Sequence, residues 1–511
     1  MHPPILNTHE MHAILIDDEL FGNEAGEDED LEILNSYFVE KENFGKFYSH
    51  KGKFRIARSK KGVGKSTLLK KTMAKMESAP SRDSICLYIK GSDLVATGSM
   101  DSSSPNDLIN SWQQRLSIVV NREIGRRIKF ATSDIDISLV EASELSNFKS
   151  RNFVSSLLDR ISYKDELPKL EKKFPKNELN ILRSKAEKDE ISVWLFVDDV
   201  DATFVNQPDS RLETSTFFTA CRTLVNNVKG LNIRCSVRTD VWEVLATHDE
   251  ALDKCNQYLL DLKWTTSESC EILCRKILSY FRRRYPKITY YKQLQYPEHH
   301  RAILDLIFTK SFRWNGAEVP PDRPIFILSG GRPRWAAHLC KLAAKRTNEE
   351  KRNRINISHI DKSLKEYGEF RLRDLYKEHA HQCAILRDLI EIFSAGPKRY
   401  TTDSILTLIT AKIIRKHGAI KIEGAYCNNG GLGIAHFLYR IGFIHGRDQD
   451  GIGLNFVRFE DRPDLLTTTE NLDDGLVWEI HPSYRNVLRI RAPRNSGPNR
   501  PSDGNSRRRR R

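Results

Sequence analysis

Ser59-Lys60-Lys61-Gly62-Val63-Gly64-Lys65-Ser66-Thr67 lies between a short apolar run, Phe54 to Ala57, and a helix-prone run, Thr67 to Met76. A strand, a glycine-containing loop and a helix in that order make the setting of a phosphate-cradling loop. Gly62 and Gly64 leave the backbone unhindered, so its N–H groups can converge on an anion at the helix N-terminus, where the helix dipole also favours negative charge. Lys65 then reaches the terminal phosphates of a nucleoside triphosphate and Ser66 ligates Mg²⁺. Ser59 stands where the usual pattern opens with glycine. It is small enough for the turn.

A second signal follows downstream. Ile191 to Val197 is a β-branched and aromatic run with almost no polar break, the pattern of a strand buried on both faces of a parallel sheet. It ends in Asp198-Asp199-Val200-Asp201. Carboxylates at the C-terminal edge of such a strand fall at the crevice where these sheets bind ligands. Asp198 is the expected partner of Mg²⁺, and Asp199 is placed to orient an attacking water. Aspartate is one methylene shorter than glutamate, so slow hydrolysis is expected. A third strand, Leu231 to Val237, ends in Arg238-Thr239-Asp240 and should fall beside the other two. Arg238 or Thr239 is then within reach of the γ-phosphate; an interface charge, or a helix cap by Asp240, fits the same residues. Farther on, Gly330-Gly331-Arg332-Pro333-Arg334 opens the helical stretch Trp335 to Lys345 and projects Arg334 from its first turn.

This order of motifs resembles the AAA+ ATPases, especially the branch near origin-recognition initiators and the STAND signalling ATPases. It is similar to bacterial P-loop ATPases often encoded in mobile or defence regions. The residues that carry the resemblance are Tyr37 to Glu40, the loop Lys61 to Ser66, Asp198-Asp199, Arg238-Thr239-Asp240, Gly331-Arg332-Pro333-Arg334 and the late segment Trp478 to Arg485, so it spans residues 30 to 490. The resemblance implies an α/β fold, a doubly wound parallel-sheet P-loop ATPase core with a helical lid and a C-terminal winged-helix domain. It implies that residues 59–67 bind ATP, that Ser66 and Asp198 hold Mg²⁺, and that Asp199, Arg238 and Arg334 are catalytic, with Arg238 reading the γ-phosphate and Arg334 coupling nucleotide to lid. A homo-oligomer or an effector protein is the implied partner. An ATP-dependent switch in signalling or antiphage defence is the first functional expectation. A DNA-binding ATPase of initiator or transposition type is the alternative, and an interaction protein with a degenerate nucleotide site is the third.

The rest of the chain sets bounds. Its 511 residues, 39% of them hydrophobic, suffice for several structural units. The expected division is an acidic flexible leader (1–30), an ATPase core (31–262) with a helical insert (91–190), a helical lid (263–383), a winged-helix-like domain (384–490) and a disordered basic tail (491–511). The net charge of +14 suits polyanion partners, with DNA contacts through the winged helix and the tail, although Arg507 to Arg511 supply five of those charges. The third helix of that domain, Gly433 to Ile441, carries only His436 and Arg440 as contacts. A hairpin pairing Leu454–Phe459 with Gly475–His481 is expected after it. No apolar run suggests a membrane span, no leader pattern follows Met1, and a cytoplasmic protein is expected. The nine cysteines show no metal-ligand spacing and read as reduced. No Asn-Lys-x-Asp segment is present to read guanine, which favours ATP.

Overall fold

The computed structural model describes residues 6–78, 84–95, 104–127, 136, 139–140, 143, 178–189, 192–205, 207–314, 316–427, 431–448, 456–470 and 472–491. They form two compact units, residues 1–363 and 364–511, and the division falls inside the helix Ile357–His379. Residues 31–262 and 263–363 belong to one unit, and residues 364–383 of the expected lid belong to the second.

The first unit is built on five strands, β1 (Phe54–Ser59), β2 (Ser84–Lys90), β3 (Ser192–Asp198), β4 (Leu231–Arg238) and β5 (Leu259–Asp261). All pairings are parallel and the order is β2-β3-β4-β1-β5. Every residue of β3 is buried, as its unbroken apolar run requires of a strand covered on both sides. Alternation along β3 divides the core. Val193, Leu195 and Val197 face one cluster with helices Pro105–Arg127, Pro208–Asn227 and Thr239–His248, whereas Trp194 and Phe196 face the other with helix Lys65–Glu77. The sheet is thus doubly wound, as expected.

β4 departs from a simple apolar strand. Ile233, Cys235 and Val237 enter the first cluster, while Asn232, Arg234, Ser236 and Arg238 alternate with them. Arg234 is fully buried, and no carboxylate among the described residues pairs with it. Its guanidinium donates to the carbonyls of Phe47 (2.6 Å), Ser49 (2.9 Å), Lys53 (3.1 Å) and Ile233 (3.0 Å), and lies 4.6 Å from the Trp194 ring. Burial, with Arg55 adding repulsion, lowers its pKa to about 9. The residue therefore staples the lead-in Phe47–Lys53 to the sheet beside β1.

Residues 6–30 differ from the flexible leader that their acidity suggests. Helix Thr8–Leu15 has a capping box at Asn7 and Glu10, and Met11, Ile14, Leu15, Leu20 and Phe21 are buried. The burial of this apolar set offsets the ordering of the chain. The insert contributes the expected helix as Pro105–Arg127, and 152–161 lies outside the described residues, as do 98–103 and 492–511. The lid supplies helices Thr266–Arg284, Asp322–Ser329 and Pro333–Glu349. No helix among the described residues is long and apolar enough to cross a membrane.

In the second unit, helices Leu386–Glu391, Thr402–Ile409 and Leu432–Arg440 pack with a three-stranded sheet. Leu476–Ile480 pairs with Ile444–Asp448 and with Arg399–Tyr400; of the expected segment 454–459, residues 454 and 455 lie outside the described residues, and Val457 makes one bridge to Gly446.

Replacing Arg234 with leucine leaves the Phe47 and Ser49 carbonyls without their donor. The expected loss is about 3 kcal/mol or more of unfolding free energy, read from urea denaturation.

Candidate functional site

Parallel pairing puts the C-terminal ends of β1, β3 and β4 on one rim. Ser59 lies opposite Arg238 in the register, and Val197 opposite Cys235, so Asp198 arrives beside Ser236. The loop between β1 and helix Lys65–Glu77 follows the sequence expectation closely. Gly62 and Gly64 have φ of 76° and 115°, backbone that side-chain-bearing residues rarely adopt. Gly64 is also the N-cap of the helix. Lys65 is buried, and its ammonium donates to the Ser59 carbonyl at 3.3 Å, folding back along the loop. Ser59, itself 3% exposed, fits the turn that a glycine would otherwise make.

Two side chains hold Asp198. The Ser236 hydroxyl donates to Asp198 Oδ1 and the Tyr88 hydroxyl to Oδ2. The Asp199 N–H in turn donates to Asp198 Oδ1 and to Ser236 Oγ, both at 3.0 Å. Asp199 sits at φ 48°, a left-handed turn that aspartate tolerates better than most residues. The turn leans on Gly91, where a Cβ would come within 2.6 Å of Val200 Cα and 2.8 Å of the Asp199 carbonyl oxygen. Burial pushes the Asp199 carboxyl up to about 6; Asp198 adds repulsion, Lys65 opposes it, and Asp201 and Glu27 add further repulsion. The influence of Lys65 puts the loop lysine and this carboxylate in one electrostatic field.

The arginines separate. Arg334 begins the lid helix, donates its backbone N–H to the Gly62 carbonyl at 3.3 Å and lies with its Cβ against that glycine. Arg238 is held by Asp201, its Nε donating to Oδ2 at 2.7 Å, so its side chain is engaged at the rim. Thr239 opens the next helix and Asp240 lies in its first turn.

Further residues complete the surroundings. Trp264 Nε1 donates to the Val63 carbonyl at 2.8 Å, and Arg332 to that of Lys61 at 3.4 Å, so the loop is fastened from the lid side. The acidic stretch before residue 30 crosses the loop helix: Lys70 Nζ donates to the carbonyls of Glu27 (2.7 Å) and Glu29 (2.8 Å), and Gly26 packs so closely on Thr67 that a Cβ would fall 2.2 Å from its hydroxyl. Glu24 reaches His338 on the lid helix at 2.9 Å. Sequence reading missed Tyr88, Gly91, Ser236, Asp201 and Trp264. The two-residue alternation of Asn232, Arg234, Ser236 and Arg238 in an apolar strand was the available signal for one of them.

The donor set fits a Mg²⁺–triphosphate. An ammonium, a hydroxyl at a helix N-terminus and a hydrogen-bonded carboxylate are the groups such a ligand requires. No group of three His, Cys, Asp or Glu able to hold a metal occurs among the described residues.

No family model matches the chain, and no curated protein matches it. Among solved structures, the Walker-type ATPase PABY2304 of Pyrococcus abyssi aligns over 89% of this chain and 96% of its own, with 13% identity and a TM-score of 0.37. The ORC2 protein of Aeropyrum pernix, in ADPNP–ADP complexes, covers 90% of this chain and 96% of its own at 10% identity and TM-score 0.42. Cdc6p of Pyrobaculum aerophilum covers 90% and 98% at 12% identity and TM-score 0.31. At such scores the geometry above has to carry the functional reading by itself.

Gly91→Ala drives a methyl into the backbone of the Asp199 turn. Its expected cost is about 1–3 kcal/mol of stability, measured by denaturant titration, although position 91 is remote from the loop in sequence.

Proposed function

We propose that the protein binds and slowly hydrolyses ATP, and that the bound nucleotide governs how the lid sits on the core. The observation that supports this is that β1, which leads into the loop before Lys65 and Ser66, and β3, which ends in Asp198, both run parallel to β4 and finish on one rim, with Asp199 in the field of Lys65. The loop N–H groups of residues 59–67 and the Lys65 ammonium take the phosphates, and Ser66 with Asp198 holds Mg²⁺. Ser66 and Asp198 would hold the cation where it would supply charge neutralisation to the phosphate oxygens. Asp199 orients water and accepts its proton, and Arg334, resting on Gly62, senses whether the phosphates are present. Arg238 would read the γ-phosphate from the position in which its Nε is held by Asp201. A signalling or defence setting is supported by the motif resemblance. The initiator-type, DNA-binding reading is supported by the excess of 82 basic over 68 acidic residues. Assembly into a homo-oligomer or with an effector would be the switch output, in a cytoplasmic protein.

Lys65→Ala removes a charged hydrogen bond worth about 1.5–3 kcal/mol, so ATP affinity should fall about tenfold to a hundredfold in calorimetry. Equal ATP affinity and turnover in that variant would end the proposal. The pH profile gives a separate check. Asp199 is protonated below about 6 and must be ionised to accept a proton, so kcat/KM should rise through about pH 6 and level off above it. Asp199→Asn should abolish that limb and most turnover while leaving nucleotide binding in place.

A further inference from the structure

The segment Trp478-Glu479-Ile480-His481-Pro482-Ser483-Tyr484-Arg485 organises a cluster of charge in the second unit. Its strand, Leu476–Ile480, is central in the small sheet, between Arg399–Tyr400 and Ile444–Asp448. One face of that sheet is apolar: Tyr400, Ile444, Trp478 and Ile480 belong to the core. On the other face Glu479, with no exposure at all, is opposite Arg399 in the register and is surrounded by cations. Arg399 Nε lies 3.0 Å and Arg447 Nε 3.4 Å from Oε2, Lys398 Nζ lies 3.3 Å from Oε1, and Arg485 pairs with Oε1 as well.

Four positive groups thus share one carboxylate. Among the described residues, Lys398, Arg399 and Arg485 pair with no other carboxylate, and their side chains keep 21%, 37% and 17% exposure. Burial works against the ionised Glu479, but Arg485, Lys398 and Arg447 hold it below the usual glutamate range. Burial and neighbouring cations lower Lys398, and lower Arg485 to about 10. The cluster holds more positive charge than its own carboxylate can balance, and three of its members reach solvent. The third helix offers far less: Arg440 is tied to Glu423 at 2.6 Å and His436 is partly buried, its pKa lowered by desolvation.

We propose that this cationic face binds the phosphate backbone of duplex DNA, with Lys398 and Arg399 touching phosphate and Glu479 positioning the basic groups. Guanidinium and ammonium groups gathered at the surface match phosphate oxygens, and a passing backbone supplies the missing negative charge. A contact of this kind positions DNA without reading its sequence. The inference does not rest on ATP hydrolysis.

The test uses the full chain and a labelled duplex of about 30 base pairs, with anisotropy followed across a salt series. Lys398→Ala/Arg399→Ala should weaken binding about tenfold and reduce the salt slope by about one to two, while ATP affinity is kept. An equal removal of exposed charge elsewhere in the unit, Lys412→Ala/Arg415→Ala, should change affinity less than about threefold. If the alanine pair lowers the thermal midpoint, Lys398→Gln/Arg399→Gln is measured in its place. Unchanged affinity in the first pair, an equal loss in the control pair, or displacement of the duplex by millimolar inorganic phosphate at constant ionic strength would overturn the proposal.

Discussion

The hydrogen bond from Ser236 to Asp198 ties two parallel strands together at the rim on which the nucleotide site depends. It fixes the carboxylate, and the same hydroxyl accepts the Asp199 N–H that sets the strained turn after it. β4 lies between β1 and β3, so this one contact spans from the carboxylate strand toward the loop strand. A parallel sheet makes the arrangement possible, since only there do three strands end on the same edge.

Around that rim the structure spends its polar groups on holding backbone. Trp264, Arg332 and the Arg334 N–H all bond to carbonyls of the phosphate-binding loop, and Lys70 bonds to carbonyls of the acidic stretch that crosses the loop helix. Loop, lid and leader are therefore mechanically connected within one compact unit. The negative charge brought by Glu24 and Glu27 is also felt there: Glu24 pairs with the lid helix, and Glu27 helps raise the Asp199 carboxyl.

Charge is distributed differently in the second unit. The basic residues of its third helix are engaged or partly buried, whereas those on the outer face of the sheet crowd a single buried carboxylate. The distinction comes from period two in a strand: Trp478 and Ile480 enter the core, which forces Glu479 to the opposite side.

The residues by themselves determined the phosphate-binding loop, the buried strand before Asp198 and most helices of the lid, because glycine spacing and apolar periodicity are local properties of the chain. They did not show that Gly91 must be small, that Tyr88 and Ser236 hold Asp198, that Asp201 holds Arg238, or that Arg234 anchors the lead-in. Those partners lie far apart in sequence, and strand order alone brings them together. Charge run-length presented the first thirty residues as solvated, although Met11, Ile14, Leu20 and Phe21 are buried among them. Only tertiary packing decided that, since whether an apolar residue has a surface to cover depends on the fold and not on its neighbours in the chain.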